Sequence, residues 1–276
     1  MYLKHNDRVC VIIKTYLKTI TLSNFRLNIH AHSFNRNLSI GLGLKYIKSD
    51  YGNVGTITGL ESKPVNTFAL NIGTEYRSDF KISENSLLNY HIGGAISNFG
   101  PKVKRSSDPN EIKNFIPTTL RIGFLINPDF YLTDKFRLNL DFAYQADKYL
   151  TPTFPIYNDS MGIIKGKNPN ISSFQALYQS FYDAPNGTKE ELHEITHKLG
   201  TEVRINYDNQ LYFAIRLGKT MIDKSKGQGF NTKGFGLGIY GFTLDYKRIN
   251  STYSGLDKTW AISLGFQTRL DKMFHF

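Results

Sequence analysis

The sequence is poor in the residues and segments that define several large classes of protein. It has a single cysteine, Cys10, which excludes a disulfide framework and a cysteine-based metal site. Its longest apolar run is residues 9–13, whereas a membrane-spanning helix needs about 20 apolar residues. Charged residues make up 21% and apolar residues 40% of the chain, a balance that excludes a disordered protein. The sequence therefore predicts a folded chain that is not a helical membrane protein.

Tyrosine, phenylalanine and glycine are abundant instead. The 276 residues include 20 Phe, 17 Tyr and 23 Gly against one Trp, and the net charge is +11. A barrel or sandwich of this length usually forms one domain. Because helical apolar stretches are lacking, this composition favours β structure.

Apolar residues alternate with polar residues or glycine along much of the chain. Leu42 and Leu44, for example, alternate with Gly41, Gly43 and Lys45. Because successive strand side chains point to opposite faces, such a segment has one apolar face and one polar face. About ten segments carry the pattern, and a further candidate surrounds residues 25–29. The ten lie near residues 38–46, 68–77, 88–97, 120–126, 136–145, 198–206, 211–220, 233–240, 242–249 and 259–270.

The connections between these strands alternate in length. The long ones are residues 48–66, 98–117, 147–197 and 221–232, and the short ones are 78–87, 127–135, 207–210 and a tight turn at Gly241. In an up-and-down antiparallel sheet, this order places every long loop at one end. Outer-membrane barrels have short periplasmic turns, longer external loops and alternating strands of about 10 residues. We therefore predict an all-β fold, an antiparallel up-and-down transmembrane β-barrel with a short helix in a long external loop.

A soluble β-sandwich is the main alternative, because its strands also alternate. Aromatic residues at predicted strand ends, such as Tyr46, Phe136 and Trp260, suit the aromatic girdles of a membrane barrel. Charged residues such as Arg121 and Arg216 fall on the opposite face, where a barrel has its polar lumen. Both features favour the barrel.

One motif suggests a zinc hydrolase. Residues 193–197 read H-E-x-x-H, which on a helix places two histidines on one face to bind Zn²⁺, with the glutamate as general base. Thr188 and Glu191 have the spacing of a capping box, so a local helix is expected. The third histidine of the longer motif would fall at Val203, so that ligand is missing. We therefore favour a polar loop helix with coincidental histidines.

Two further features have a structural explanation that we favour. Residues 236–241 read G-x-G-x-x-G, but a dinucleotide site needs a following helix, and Phe242 and Leu244 continue as a strand. Basic residues cluster at 102–105 and 219–226, where a nucleic-acid protein would contact phosphates. On external barrel loops we expect these residues to be solvated, or else to meet lipopolysaccharide phosphates or acidic partners. No nucleic-acid partner is predicted.

Three segments resemble the PorV family, the outer-membrane β-barrel component of the type IX secretion system, which has a FadL-like fold. The first is residues 95–123, with ISNFGPK at 96–102 and NFIPTTLRIG at 114–123. The second is LTPTFP at 150–155, and the third is SFYDAPNG at 180–187, followed by KEELHEI at 189–195. The similarity covers about residues 38–270.

This resemblance implies a role without enzymatic activity, cofactor or metal. Members of the family are similar to a shuttle that binds the C-terminal sorting domains of cargo proteins. It takes cargo from the translocon to a cell-surface attachment complex that contains a sortase-like protease. The implied partners are the translocon, this complex, the cargo domains and outer-membrane lipids. A FadL-like channel for hydrophobic small molecules is the alternative, although the charged and glycine-rich inner face does not suit it.

The resemblance also indicates where partners bind. Within the long 147–197 loop we expect Phe181, Tyr182, Asp183 and Pro185 to contact cargo, because exposed aromatics supply binding area and proline rigidifies a loop. The alternative, equally open, is that this motif packs the loop against the barrel mouth.

The N-terminus lacks the features of a secretory signal peptide. Lys4 and Arg8 precede an apolar run of only residues 9–13, and no small-residue cleavage site follows. Barrels of the resembled family are longer than this chain. We therefore expect the chain to be a fragment of a longer exported outer-membrane protein, or such a protein with a misassigned start. Residues 1–35 are then a poorly matched N-terminal segment, and residues 36–276 are the barrel domain.

Overall fold

Eleven strands form one antiparallel sheet in which each strand pairs with its neighbours in chain order. The computed structural model describes residues 22–33, 37–49, 63–105, 108, 111–208, 210–251 and 257–266. Cys10, the basic and apolar N-terminal residues and the predicted strand end at 267–270 lie outside the described residues. The sheet consists of β1 (Leu22–Ser33), β2 (Leu38–Ser49), β3 (Val65–Ser83), β4 (Ser86–Phe99), β5 (Thr119–Tyr131), β6 (Phe136–Tyr149), β9 (Thr196–Tyr207), β10 (Leu211–Met221), β11 (Phe230–Ile239), β12 (Phe242–Ser251) and β13 (Trp260–Phe266).

The long connection between β6 and β9 has secondary structure of its own. It carries the two-stranded ribbon β7 (Ile156–Tyr157) and β8 (Ile163–Lys165) and the helices α1 (Ser173–Gln179) and α2 (Thr188–His193). Ser172 and Gln175 form a capping box at the start of α1. Helix α2 confirms the short helix predicted in this loop, and α1 is an additional helix. Within the described residues, no helix is long and apolar enough to cross a membrane.

The predicted alternation of side chains is confirmed in the sheet. On β10, Leu211, Phe213, Ile215 and Leu217 are exposed on one face. Their backbone partners on β11 are also apolar, as in the pair of Ile215 with Phe235. The same register continues through the sheet from β2 to β13, so most apolar side chains share one face and most charged side chains and glycines share the other. Lys148 and Lys219, near the ends of their strands, are exceptions that have the phase of the apolar face. A continuous exposed apolar face is what a membrane barrel presents to lipid.

The alternation of long and short connections is also confirmed. The long ones are residues 50–64, 100–118, 150–195, 222–229 and 252–259, and the short ones are 34–37, 84–85, 132–135, 208–210 and 240–241. At the shortest type of turn, Tyr240 has φ 48° and Gly241 has φ 88°. A two-residue hairpin turn of type I′ needs positive φ at both central residues, so glycine suits this position. All long loops therefore lie at one end of the sheet, which we call the loop end.

Strand β1 confirms the additional strand predicted around residues 25–29, and it pairs along its length with β2. It lies inside the stretch 1–35 that the sequence assigns to a separate segment, so part of that stretch joins the sheet. The boundary itself stays a prediction.

A small apolar core lies at the loop end. Val65 and Ala69 of β3 are buried with Val103 and Ile116 of the 100–118 loop. A backbone bridge between Val103 and Asn114 folds this loop back on itself. Since odd-numbered residues of β3 belong to the polar face, the loop folds inward over that face. The 100–118 loop therefore packs against the sheet and covers part of its polar face.

Candidate partner-binding site

The 150–195 loop is held by a buried ion-pair cluster. Lys148, at the end of β6, is only 6% exposed, and its Nζ lies 2.8 Å from Glu191 Oε2 and 2.7 Å from Glu194 Oε2. Glu191 also accepts a hydrogen bond from Ala184 N at 2.8 Å. Glu194 accepts a second bond from the Thr153 hydroxyl at 2.6 Å. Buried charges are stable only when they are paired and hydrogen-bonded, and these contacts provide both.

A second external loop is attached to the same cluster. Lys226, in the 222–229 connection, lies 2.8 Å from Glu190 and 3.3 Å from Glu194. The hydrogen bond from Lys226 lowers the pKa of Glu190. Burial raises the pKa of Glu194, but the hydrogen bonds from Lys148 and Thr153 outweigh it and lower the pKa overall. The cluster therefore ties the two loops together while its glutamates are ionised.

Asp183 is the least favourably placed acid in this loop. It is fully buried, its Oδ2 accepts a hydrogen bond from Thr153 N at 3.2 Å, and its Oδ1 has no hydrogen-bond partner among the described residues. Burial raises its pKa to about 6; the neighbouring carboxylates Glu191 and Glu194 add to this, and the Thr153 bond opposes it. Its side chain therefore supports the loop from inside.

The predicted contact residues divide into two groups. Phe181 and Tyr182 are 48% and 51% exposed, respectively, whereas Pro185 is half-buried and Asp183 is fully buried. Lys148 Nζ lies 5.8 Å from the centre of the Phe181 ring, and Lys167 Nζ lies 3.8 Å from that of Tyr182. The two rings thus rest on cations and keep an open surface. Phe154, Phe174, Tyr178 and Leu192 of the same loop are also exposed.

The H-E-x-x-H motif does not form the geometry of a zincin. Helix α2 ends at His193, and His197 lies in β9, so the two histidines do not share a helix face. His197 Nδ1 lies 2.7 Å from the Tyr144 hydroxyl, and Glu194 is bound in the ion-pair cluster. Among the described residues, no group of three or more acidic, histidine or cysteine side chains is arranged to hold a metal. The capping box expected from Thr188 is also wrong, because α2 begins after Gly187, which has φ 71°.

The G-x-G-x-x-G motif lies on a β-hairpin, which confirms the prediction that a strand and not a helix follows it. Gly236 and Gly238 belong to β11, and Gly241 belongs to the turn that follows. A Cβ at Gly238 would fall 2.0 Å from the Tyr212 ring, so the glycine makes room for that side chain. The motif therefore serves packing on the polar face.

The polar face carries a ladder of ion pairs that the strand pattern alone did not reveal. Glu202 of β9 lies 2.6 Å from Arg204 and also pairs with Arg216 of β10. Arg216 reaches Asp245 of β12 as well. The backbone register predicts which strands are neighbours, but these partners lie on three different strands. The paired charges make this face suited to a water-filled lumen.

Much of the basic charge in the loops is used internally. Lys102 donates to Asn170 and to the Ile171 carbonyl, both at 3.3 Å, and lies over the Phe115 ring. Since Lys226 is also paired, two members of the predicted basic clusters hold loops together. Lipopolysaccharide contact by the remaining members stays a prediction.

These features define a class of protein. The up-and-down antiparallel sheet has an apolar exposed face, an ion-paired polar face and long loops at one end only, which is the construction of an outer-membrane β-barrel. Residues 21–156 match the model of the family described as type IX secretion system protein PorV. Over these residues, just under half of the chain, it is similar to the PorV family of the type IX secretion system, and the chain is an outer-membrane protein.

Comparisons with curated proteins and with solved structures give less information than the family match. No curated protein matches the chain. Two similar solved structures are the NanC porin and the CymD monoaromatic hydrocarbon channel, each with a TM-score of 0.33 and 9% sequence identity. The alignment covers 89% of this chain and 97% of the NanC chain, and 79% of this chain and 65% of the CymD chain. At these TM-scores, neither structure supports a statement about function.

Proposed function

We propose that this protein binds the C-terminal sorting domains of secreted cargo and passes them from the type IX translocon to the cell-surface attachment complex. The role is non-enzymatic and needs no cofactor. Its partners are the translocon, the attachment complex with its sortase-like protease, and the cargo domains. The match of residues 21–156 to the PorV family supports the secretion system as the setting, and the 150–195 loop supplies the contact surface.

One observation carries the assignment of that surface. Phe181 and Tyr182 lie half-exposed on a loop whose base is fixed by the buried pairs of Lys148 with Glu191 and Glu194. Aromatic side chains that are held in place contribute most to binding, because little conformational freedom is lost when a partner packs on them. Asp183, although predicted as a contact, then acts by positioning these rings.

Co-purification tests this proposal. The complete protein, tagged and extracted in detergent from cells with an intact secretion system, is expected to retain cargo that carries C-terminal sorting domains. Replacing Phe181 and Tyr182 with alanine should lower the retained cargo at least tenfold, since buried aromatic anchors each contribute about 2 kcal/mol or more. The matched control replaces Phe174 and Tyr178, two exposed aromatics of α1 in the same loop. Equal loss in both variants, or no loss in either, would contradict the assigned surface.

A channel for hydrophobic small molecules is a second candidate, because the polar face contains a cavity of about 760 Å³. Its floor includes Gly41, Gly73, Gly93 and Gly123, and its volume is in the range of small-molecule sites. Its lining also includes the charged side chains Glu75, Arg121 and Lys198, to which an apolar ligand offers no partner. Growth on a long-chain fatty acid that depends on this protein would support the channel. A deletion strain that fails in secretion and grows normally on the fatty acid would support cargo transport.

A further inference from the structure

We propose that a cavity at the loop end of the polar face is a binding site for a carboxylate. This cavity has a volume of about 590 Å³ and is called the mouth pocket below. Strand residues Arg121, Asp147 and Lys198 line one side, and Glu194 and Lys226 of the external loops line the other. The proposal is independent of the cargo-binding role proposed above.

Two cations in the mouth pocket share one carboxylate, which is largely shielded from solvent. Lys198 Nζ lies 2.6 Å from Asp147 Oδ2, and Arg121 Nε lies 3.7 Å from the same oxygen. The other oxygen of Asp147 accepts a hydrogen bond from Gln145 Nε2 at 2.6 Å. The Arg121 and Lys198 side chains are 43% and 41% exposed, whereas that of Asp147 is only 12% exposed. All three side chains line the pocket, and the two cations are more accessible than their counter-ion.

The charge balance favours a ligand with one negative charge. The pocket is lined by three cations, Arg121, Lys198 and Lys226, and by two carboxylates, Asp147 and Glu194. Lys226 is already paired with Glu194 and with Glu190 behind it. Because Arg121 and Lys198 share the single carboxylate of Asp147, this group of three side chains has one excess positive charge. A carboxylate matches it, whereas a phosphate group carries about −1.5 to −2 and would leave charge unpaired in the pocket.

The remaining lining suits a carboxylate that is attached to a carbon skeleton. Thr151, Thr196 and Thr220 also line the pocket, and a threonine hydroxyl can donate a hydrogen bond to a carboxylate. Pro152, Ile222 and Phe230 add apolar wall. A pocket of this volume has room for a small organic acid or for the last residues of a polypeptide.

The position of the two cations makes them accessible from both directions along the polar face. Arg121 and Lys198 line the mouth pocket and also the larger 760 Å³ cavity on the glycine-rich floor. An anionic ligand in either cavity therefore has both side chains in its lining. Arginine can bind a carboxylate with two parallel hydrogen bonds, and lysine adds a point charge.

Binding of defined probes to the complete protein in detergent tests the site. The probes are a fluorescent peptide with a free C-terminal carboxylate, the same peptide as its C-terminal amide, and benzoate and inorganic phosphate as competitors. We expect the free peptide, or benzoate, to bind at least about tenfold more tightly than the amide and phosphate. Peptide binding assigns the pocket to a polypeptide terminus, whereas benzoate binding alone assigns it to small organic acids.

Variants connect this binding to the two cations. Arg121→Gln and Lys198→Met should each weaken carboxylate binding about tenfold, and Lys247→Met, on the polar face of β12 outside the pocket, should not change it. Asp147→Asn removes the competing carboxylate and should strengthen binding several-fold, a gain that misfolding cannot produce. The proposal is overturned if no carboxylate binds, if phosphate binds more tightly, or if Asp147→Asn weakens binding in a protein whose gel migration shows a folded barrel.

Discussion

The buried carboxyl group of Asp183 makes the 150–195 loop sensitive to pH, and replacing it with asparagine should remove that sensitivity. Burial raises its pKa from 3.8 to about 6 in the closed loop, whereas an opened loop returns it to water. The closed loop therefore holds this proton more tightly than the open loop. The contribution of Asp183 to the stability of the closed loop is fully present below about pH 4 and is lost as the pH rises through 6. The difference of about two pKa units corresponds to about 3 kcal/mol above pH 7.

Hydrogen exchange of the loop amides in the detergent-solubilised protein measures this effect. The ratio of protection in Asp183→Asn to that in the wild type should be near 1 at pH 4. It should rise to on the order of a hundredfold above pH 7, because asparagine keeps an acceptor for Thr153 N without a charge. Taking the ratio at each pH cancels the shared titration of Glu190 and Glu194. Asp159→Asn, on the exposed ribbon of the same loop, is the control and should give a ratio near 1 throughout. A less protected loop in Asp183→Asn at pH 8, or a ratio that does not change with pH, would refute the reasoning.

Three further predictions concern the ion-pair cluster and the sheet. Lys148→Met leaves two glutamates without their buried cation, so loop opening should become easier by about 3–5 kcal/mol, measured by limited proteolysis of the loop. Unchanged cleavage would argue against the cluster as the anchor. Gly123→Ala places a Cβ 2.6 Å from a carbonyl oxygen of the next strand and should lower the unfolding temperature, whereas Gly41→Ala, with nothing within 4 Å, should be tolerated. Ile215→Lys puts a charge on the lipid face and should lower the free energy of unfolding by about 2–4 kcal/mol, measured by urea unfolding in lipid vesicles. Ser39→Lys, on the polar face, is the control and should lower it far less.

Features set by neighbouring residues could be predicted from the sequence. The alternation around Leu42 and Leu44 defines a strand because the side-chain period of a strand is two. The hairpin at Gly241 follows from its tolerance of positive φ, and the alternation of loop lengths then fixes the order of the sheet.

Features set by residues distant in sequence could not be predicted. Lys148 and Glu191 are 43 positions apart, and Lys226 and Glu190 are 36 apart, so no local pattern connects them. Asp183 illustrates the consequence, since its motif indicated a surface contact and folding of the loop buries it. The histidines of the H-E-x-x-H motif show the same limit, because the change from helix to strand after His193 separates them. Local spacing describes a site only while the backbone keeps one conformation.

Site-specific photocrosslinking in living cells tests the central claim most directly. A photoreactive amino acid replaces Tyr182 in the complete protein, in cells that secrete cargo through the type IX system, and Phe213 on the apolar face of β10 is the matched control position. Irradiation is predicted to link position 182, and not position 213, to cargo that carries a C-terminal sorting domain. If position 182 forms no cargo adduct while cargo is being secreted, the 150–195 loop is not the contact surface, and the account is wrong.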